Sequence, residues 1–386
     1  MPEPHLIYMD HNATTPLDPR VLDAMMPFLT LHYGNASSVS HSFGLAAASA
    51  VDRARAQTAA LIGAAPGEIL FTSGATESDN LAIKGAAWAA SGKGRHLITT
   101  SIEHRAVLES CRFLETQGFQ VSYLPVDGTG AVDPAEVRRA LRKDTILISV
   151  MHANSEVGTL QPVREIGAIA REAGIPFHVD ATQTVGKLPS LVDDLGVDMM
   201  AFSGHKIYGP KGIGGLYVRR RHRLVPLHSG GGQEKGRRSG TYNTPGIVGM
   251  GMACELAGRD MSGEADRLRG LQARFIAGVH ARIEGVTLNG HPDRRLPNNV
   301  NLSFDHVEAE GLIAALRSVA CSSGSACANE TREPSYVMTA MGASDERAHA
   351  AVRFGFGRQT GVDEIDEVVV RLEAAVRRQR TMAHVG

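Results

Sequence analysis

Seven apolar runs of strand length, at 68–72, 97–100, 121–124, 145–150, 176–180, 199–203 and 214–218, recur through the middle of this chain with helical patterns between them. Runs that stay apolar instead of alternating need cover on both faces, and a parallel sheet sandwiched between helices supplies it. The pattern therefore predicts an α/β fold on a wide, seven-stranded, mostly parallel sheet. Asp133 followed by Pro134 reads as an N-cap and first helical residue, and 163–173 keeps helical spacing up to Gly174.

At 386 residues the chain exceeds the usual size of one domain, so a second lobe is expected. A long amphipathic segment, 247–280, leads into it. There a strand is predicted at 300–304, helices at 308–318 and 334–341, a turn-rich stretch at 321–333, and a closing amphipathic helix at 362–377. Forty basic side chains against forty-one acidic ones leave a net charge of -1, so no global field draws in nucleic acid or an anionic membrane. The local basic run Arg219-Arg220-Arg221-His222-Arg223 reads as a solvated turn at a strand end. The first ten residues include an early acid and no apolar stretch of signal-peptide length, which points to a cytoplasmic location. Cys111, Cys254, Cys321 and Cys327 are too few for a disulfide framework and lack zinc-ligand spacing, so a metal site is not expected and any cysteine chemistry uses a free thiol.

Several reactive groups fall where strands are predicted to end, the edge at which open parallel sheets form their binding crevice. Lys206, in Ser203-Gly204-His205-Lys206-Ile207-Tyr208-Gly209, follows one run, and Asp180 with Gln183 follows another. An amine that forms a Schiff base needs a fixed, partly desolvated position, and a bound pyridine ring needs a carboxylate at its nitrogen, so the pair points to pyridoxal phosphate. Ser73-Gly74-Ala75-Thr76 opens a helix whose amides, with the Thr76 hydroxyl, suit a phosphate, and Ser203 and His205 add donors. His104 is suited to stacking on the ring or moving protons, with a structural histidine as the competing reading. Cys327 lies in a run of small residues that reads as a loop, where a thiol is open to nucleophilic use. Arg353, between apolar neighbours, needs a carboxylate, either from a structural ion pair or from an amino-acid substrate.

Taken in order, Asp10-His11-Asn12-Ala13-Thr14-Thr15-Pro16, Thr72 to Ser78, 203–212, Arg238-Ser239-Gly240-Thr241 and Ser322-Ser323-Gly324-Ser325-Ala326-Cys327 resemble the NifS/IscS-type cysteine desulfurases of the class V aminotransferase family. The long cysteine loop is similar to that of the first group of that family. The resemblance implies the PLP-dependent transferase fold type I, aspartate aminotransferase-like, with a large domain at 15–260 and a smaller α+β domain formed by 1–14 and 261–386. It implies a homodimer that converts L-cysteine to L-alanine and hands sulfur, as a persulfide, to acceptor proteins such as an iron–sulfur scaffold. By the same resemblance Lys206 carries the cofactor, Asp180 and Gln183 hold the ring, and His104 stacks on it. Ala75, Thr76, Ser203 and His205 bind the phosphate, and Thr241 reaches the phosphate in the neighbouring subunit. Arg353 holds the substrate carboxylate, and Cys327 attacks its sulfur. The chain departs from the family at Asn154-Ser155, where two asparagines are common. Either Asn154 takes over the cofactor and substrate contact, or Ser155 makes a shorter one, through water.

Other readings are a selenocysteine lyase or another enzyme of the same cofactor fold, and a non-catalytic scaffold that binds a sulfur-acceptor partner. Lys206, Asp180, His104 and Cys327 together argue against the scaffold.

Overall fold

The computed structural model describes residues 6–323 and 333–383. Its main sheet contains strands Ile69–Thr72 (β1), His96–Thr100 (β2), Gln120–Leu124 (β3), Thr145–Ser149 (β4), Phe177–Asp180 (β5), Met199–Ser203 (β6) and Gly214–Val218 (β7). These lie in the order β1-β7-β6-β5-β4-β2-β3, and β7 runs antiparallel to both neighbours while the rest share one direction. All seven predicted strands are present, with ends displaced by a residue or so: Glu68 belongs to a short 3₁₀ turn, and Val150 lies beyond β4.

One core holds Phe71, Ile98, Ile148, Phe177 and Phe202 beneath the helix Ser42–Leu61 and the first half of the helix Thr244–Arg282. A cluster on another side packs Leu70, Leu97, Leu147 and Leu216 against Leu81, Ile83 and Ala87 of the helix Ala75–Ala90. Burial on both faces is the reason these strands stay apolar in succession.

The 39-residue helix Thr244–Arg282 passes from the first core to a separate one, where Leu268, Leu271, Phe275 and Val279 meet Ile7, Met9, Val300, Phe354 and Val368. A four-stranded antiparallel sheet forms there from Val286–Asn289 (β8), Asn299–Phe304 (β9), Ser322–Ser323 (β10) and Ala351–Gly355 (β11), in the order β10-β11-β9-β8. The predicted helix at 308–318 is shorter, Ala309–Ala315, and the terminal one is longer, Val362–Ala383. β8 and β11 add to the predicted strands: their alternation, Val286 with Leu288 and Val352 with Phe354, is too short to stand alone, and pairing with neighbouring strands fixes it. The basic run after β7 is tied down locally, since Arg219, Arg221 and His222 all reach Asp198. No helix among the described residues is long and apolar enough to cross a membrane.

Close packing constrains the start of β7. A Cβ on Gly214 would lie 2.6 Å from the Gly74 carbonyl carbon and 2.9 Å from Phe202 O, backbone atoms that have little room to yield. Gly214→Ala is expected to lower folding stability by about 1–3 kcal/mol. Chemical denaturation measures this, and an unchanged midpoint would mean that the turn after β1 shifts freely.

Candidate active site

Six strands point the same way, so their C-terminal ends share one edge of the sheet, and there a cavity of about 710 Å³ opens. Its wall takes Ser73 to Glu77 after β1, His104 after β2, Ala153, Ser155 and Glu156 after β4, Asp180, Thr182 and Gln183 from β5, and Ser203, His205 and Lys206 from β6. Arg353 on β11 and Glu333 to Val337 close it from the smaller lobe.

Lys206 ends the 3₁₀ turn Gly204–Lys206 that follows β6. Its Nζ donates to Asn12 O and Ala13 O, both at 2.6 Å, which fixes the amine at the cavity wall. The same segment grips its neighbours. Gln183 Nε2 donates to Asn12 O (3.0 Å), Asn12 Nδ2 donates to Gln183 Oε1 (3.3 Å), and Thr15 Oγ1 donates to His205 O (2.9 Å). The motif at residues 10–16 carries no local sign of this work, and neither does Lys187. Partly buried, with Nζ donating to Gln183 Oε1 (3.3 Å), it is pushed down to about 7 by burial and then by the charge of Lys206.

At the phosphate-suited corner, Gly74 precedes the helix Ala75–Ala90 and contributes no side-chain cap, so the first-turn amides at Ala75 and Thr76 are open to a ligand. Ser73 N is already capped by Glu77 Oε2 (2.8 Å), and Arg238 holds the same carboxylate (2.8 Å to Oε1). Ser203 is buried at this wall. His205 Nδ1 lies 3.1 Å from Thr14 Oγ1. Burial first, then Lys206, Lys211 and Lys187, push this imidazole down to about 4, so it is neutral at pH 7 and still offers one N–H. A helix start with uncapped amides beside hydroxyl donors, and an amine and a carboxylate on one wall, form a donor set that fits the phosphate, aldehyde and pyridine nitrogen of pyridoxal phosphate.

His104 caps the helix Arg105–Glu115 through Nδ1, which accepts from Ala106 N (3.1 Å) and leaves the ring proton on Nε2. The ring is otherwise exposed to the cavity, as a stacking partner must be. Asp180 Oδ1 accepts from Thr182 N (2.9 Å). Behind it lie two wholly buried acids. Asp79 has no hydrogen-bond partner for either oxygen among the described residues, and burial, then Asp180 and Glu103, push it well up. His178 Nε2 lies 3.5 Å from Asp79 Oδ1, but burial pushes His178 down to about 4 and Asp79 up, favouring the uncharged form of each. Glu103 Oε1 accepts from Thr100 Oγ1 (2.7 Å) and Met151 N (2.9 Å), yet burial pushes its carboxyl up to about 8.

The structure does not bring Asn154 to the cavity. Its side chain is buried and spent on backbone, with Nδ2 donating to Ile102 O (3.0 Å) and Oδ1 accepting from Glu156 N (2.9 Å) and Val157 N (3.0 Å). Leaving these three groups unpaired is too unfavourable for the amide to turn outward. Ser155 borders the cavity in its place. Glu156, also on the wall, is buried with Oε1 unpartnered among the described residues, and no sequence signal marked it. Thr241 is exposed and does not line this chain's cavity. Cys327 lies outside the described residues.

Glu103 makes stability depend on pH. Its carboxyl is raised from an ordinary 4.5 to about 8, so folding favours the protonated acid; that contribution is whole below about 4.5 and is lost as pH climbs to about 8. Glu103→Gln should make the fall in unfolding midpoint between about pH 5 and 8 shallower, with Asp79 supplying the remainder. Denaturant titrations across that window check it, and an unaltered slope would exclude Glu103 as its source.

The family model described as Aminotransferase class-V matches residues 7–368. The chain is 53% identical over 379 residues to "Cysteine desulfurase IscS" of Anaeromyxobacter dehalogenans (strain 2CP-C), covering 98% of this chain and 94% of the relative. Among solved structures, one titled "NIFS-LIKE PROTEIN" superposes with a TM-score of 0.91 at 37% identity, covering 97% of this chain and 100% of the other. Another, "SspA in complex with cysteine", gives 0.82 at 41% identity, covering 91% and 98%.

Proposed function

Because the chain belongs to the aminotransferase class-V family, we propose that it is a pyridoxal-phosphate-dependent cysteine desulfurase, converting L-cysteine to L-alanine and keeping the sulfur as a persulfide on Cys327. The observation that carries this reading is the shared cavity wall of Lys206, Asp180, the helix start at Ala75–Thr76 and Arg353, in a chain 53% identical to a cysteine desulfurase.

Bound in this cavity, pyridoxal phosphate supplies an aldehyde for exchange with the substrate amine and an electron sink for the α-carbon. Lys206 Nζ would hold the aldehyde carbon of the cofactor and would serve as the base for the substrate's α-proton; the carbonyls of Asn12 and Ala13 keep that amine at the cavity wall. Asp180 would hold the pyridine nitrogen, and Gln183 Nε2 would donate to the ring oxygen. His104, on the cavity wall, would offer its imidazole to the ring. The amides of Ala75 and Thr76, with Ser203 and neutral His205, would hold the phosphate. Arg353 receives the substrate carboxylate, and Ser155 stands where the family's second asparagine would make its contact. The Cys327 thiolate attacks the substrate sulfur: an S–S bond forms as the Cβ–S bond breaks, Cβ takes a proton, and alanine leaves.

A homodimer is part of the proposal. Leu22, Met26 and Leu29 on the helix Pro19–Thr30, followed by Leu31, Tyr33, Val39, Phe43 and Leu45, are exposed apolar side chains that a second copy would cover, and Thr241 is exposed for the neighbouring phosphate. A cytoplasmic location suits the free thiols of Cys111, Cys254 and Cys321. An iron–sulfur scaffold is the sulfur acceptor that the similarity to an IscS protein favours.

The test is mass spectrometry after cysteine treatment. The unaltered protein should gain one sulfur atom on Cys327 and release alanine without any keto-acid acceptor. Cys327→Ser should retain the cofactor's visible band and gain no sulfur. Full-rate sulfur release by that variant, or a requirement for a keto acid, would overturn the assignment.

A further inference from the structure

Arg353 enters the cavity wall from β11 with much of its guanidinium committed away from the cavity. Nη2 donates to Asp10 Oδ1 (2.8 Å) and to Ser322 Oγ (2.7 Å), and Nη1 donates to Ser155 O (3.1 Å). Ser322 Oγ in turn donates to Asp10 Oδ1 (3.2 Å), closing a three-residue ring of hydrogen bonds. Arg353 and Ser155 border the cavity; Asp10 and Ser322 do not. The ion pair therefore sits behind the arginine.

Backbone pairing holds Asp10, Ser322 and Arg353 in register. Ser322 stands opposite Arg353 across β10 and β11, and Asp10 bridges in parallel to Gly355, two residues further along β11. Gly355 N donates to Met9 O (2.7 Å), and Met9 N donates to Ala320 O (2.8 Å). The approach is so close that a Cβ on Gly355 would lie 2.5 Å from Asn12 Oδ1. Asp10 thus cannot drift from Arg353 without breaking the strand contacts on either side.

A guanidinium has five N–H groups in a fixed plane. Among the described residues three are taken, by Asp10, Ser322 and Ser155, and Nε is buried without a partner, which leaves the second Nη1 proton for a ligand in the cavity. Without the Asp10 charge, a mostly buried cation would lose the anchor that sets the plane of the fork. We infer that Asp10 is a positioning residue for the substrate's carboxylate, aiming the Arg353 guanidinium from behind while making no contact with the substrate itself. This rests on the reading of Arg353 as the carboxylate anchor given above.

The experiment is equilibrium binding in the Cys327→Ser background, where the reaction stops before sulfur transfer, read from the change in the visible band. L-cysteine is compared with cysteamine, the same molecule without the carboxylate. Asp10→Asn should weaken cysteine about tenfold and leave cysteamine within about twofold. Ser322→Ala should do the same more weakly, and serves if Asp10→Asn does not fold. With Cys327 restored, the loss should appear in KM for cysteine and not in kcat, and Asp10→Glu should recover part of it. Arg353→Met is the control. If it weakens both ligands alike, the carboxylate role of Arg353 fails, and this inference with it. If it weakens cysteine alone while the Asp10 and Ser322 variants do not, Arg353 stands and the role of Asp10 is overturned. Equal weakening of both ligands by Asp10→Asn would also overturn it, since that marks a general structural part.

Discussion

Two carbonyl oxygens of Asn12 and Ala13 hold the amine of Lys206, and through the surrounding segment that grip extends to the rest of the site. Asn12 clasps the Gln183 amide in both directions, Thr14 and Thr15 reach His205, and Asp10 reaches Arg353. Residues from strands of the main sheet and from the smaller antiparallel sheet are thereby referred to one short stretch of backbone. A lysine alone at the end of a strand is a flexible amine; tied to this stretch, it has a defined position, as nucleophilic use demands.

The main sheet contributes the other half of the arrangement. Six parallel strands deliver their ends to one edge, so Ser73, His104, Ser155, Asp180 and Lys206 meet although they are spread over more than a hundred residues. Beneath that edge the interior is electrically quiet. Burial favours the neutral forms of Asp79, Glu103, His178 and His152, the last also pushed down to about 4. Of Asp79, Glu103 and Asp180, only Asp180 borders the cavity, where a cationic ring nitrogen would meet it.

Legibility in the sequence followed how local each signal was. The runs that became β1 to β7 were readable because burial on both faces leaves a continuous apolar stretch. The helix start at Ala75, the turn at Lys206 and the motif containing Cys327 were readable because glycines and small polar residues punctuate them. β11 was not, since Arg353 and Gly355 suit that strand only through what lies beside them. Glu156, Lys187 and the part played by Asn12 leave no local signal for the same reason.

Asn154 and Ser155 mark the boundary most sharply. From sequence either could face the ligand; three backbone hydrogen bonds turn the asparagine inward and leave the serine at the wall. The sequence by itself determined the sheet, the chemical types at its edge and the family resemblance, because these are written in short runs and spacings. Only the tertiary structure decided that Lys206 answers to residues 194 and 193 positions away, and that Arg353 answers to one 343 positions away. Contacts across such separations leave no periodicity in the chain, and they arise only once the core has brought distant strands side by side.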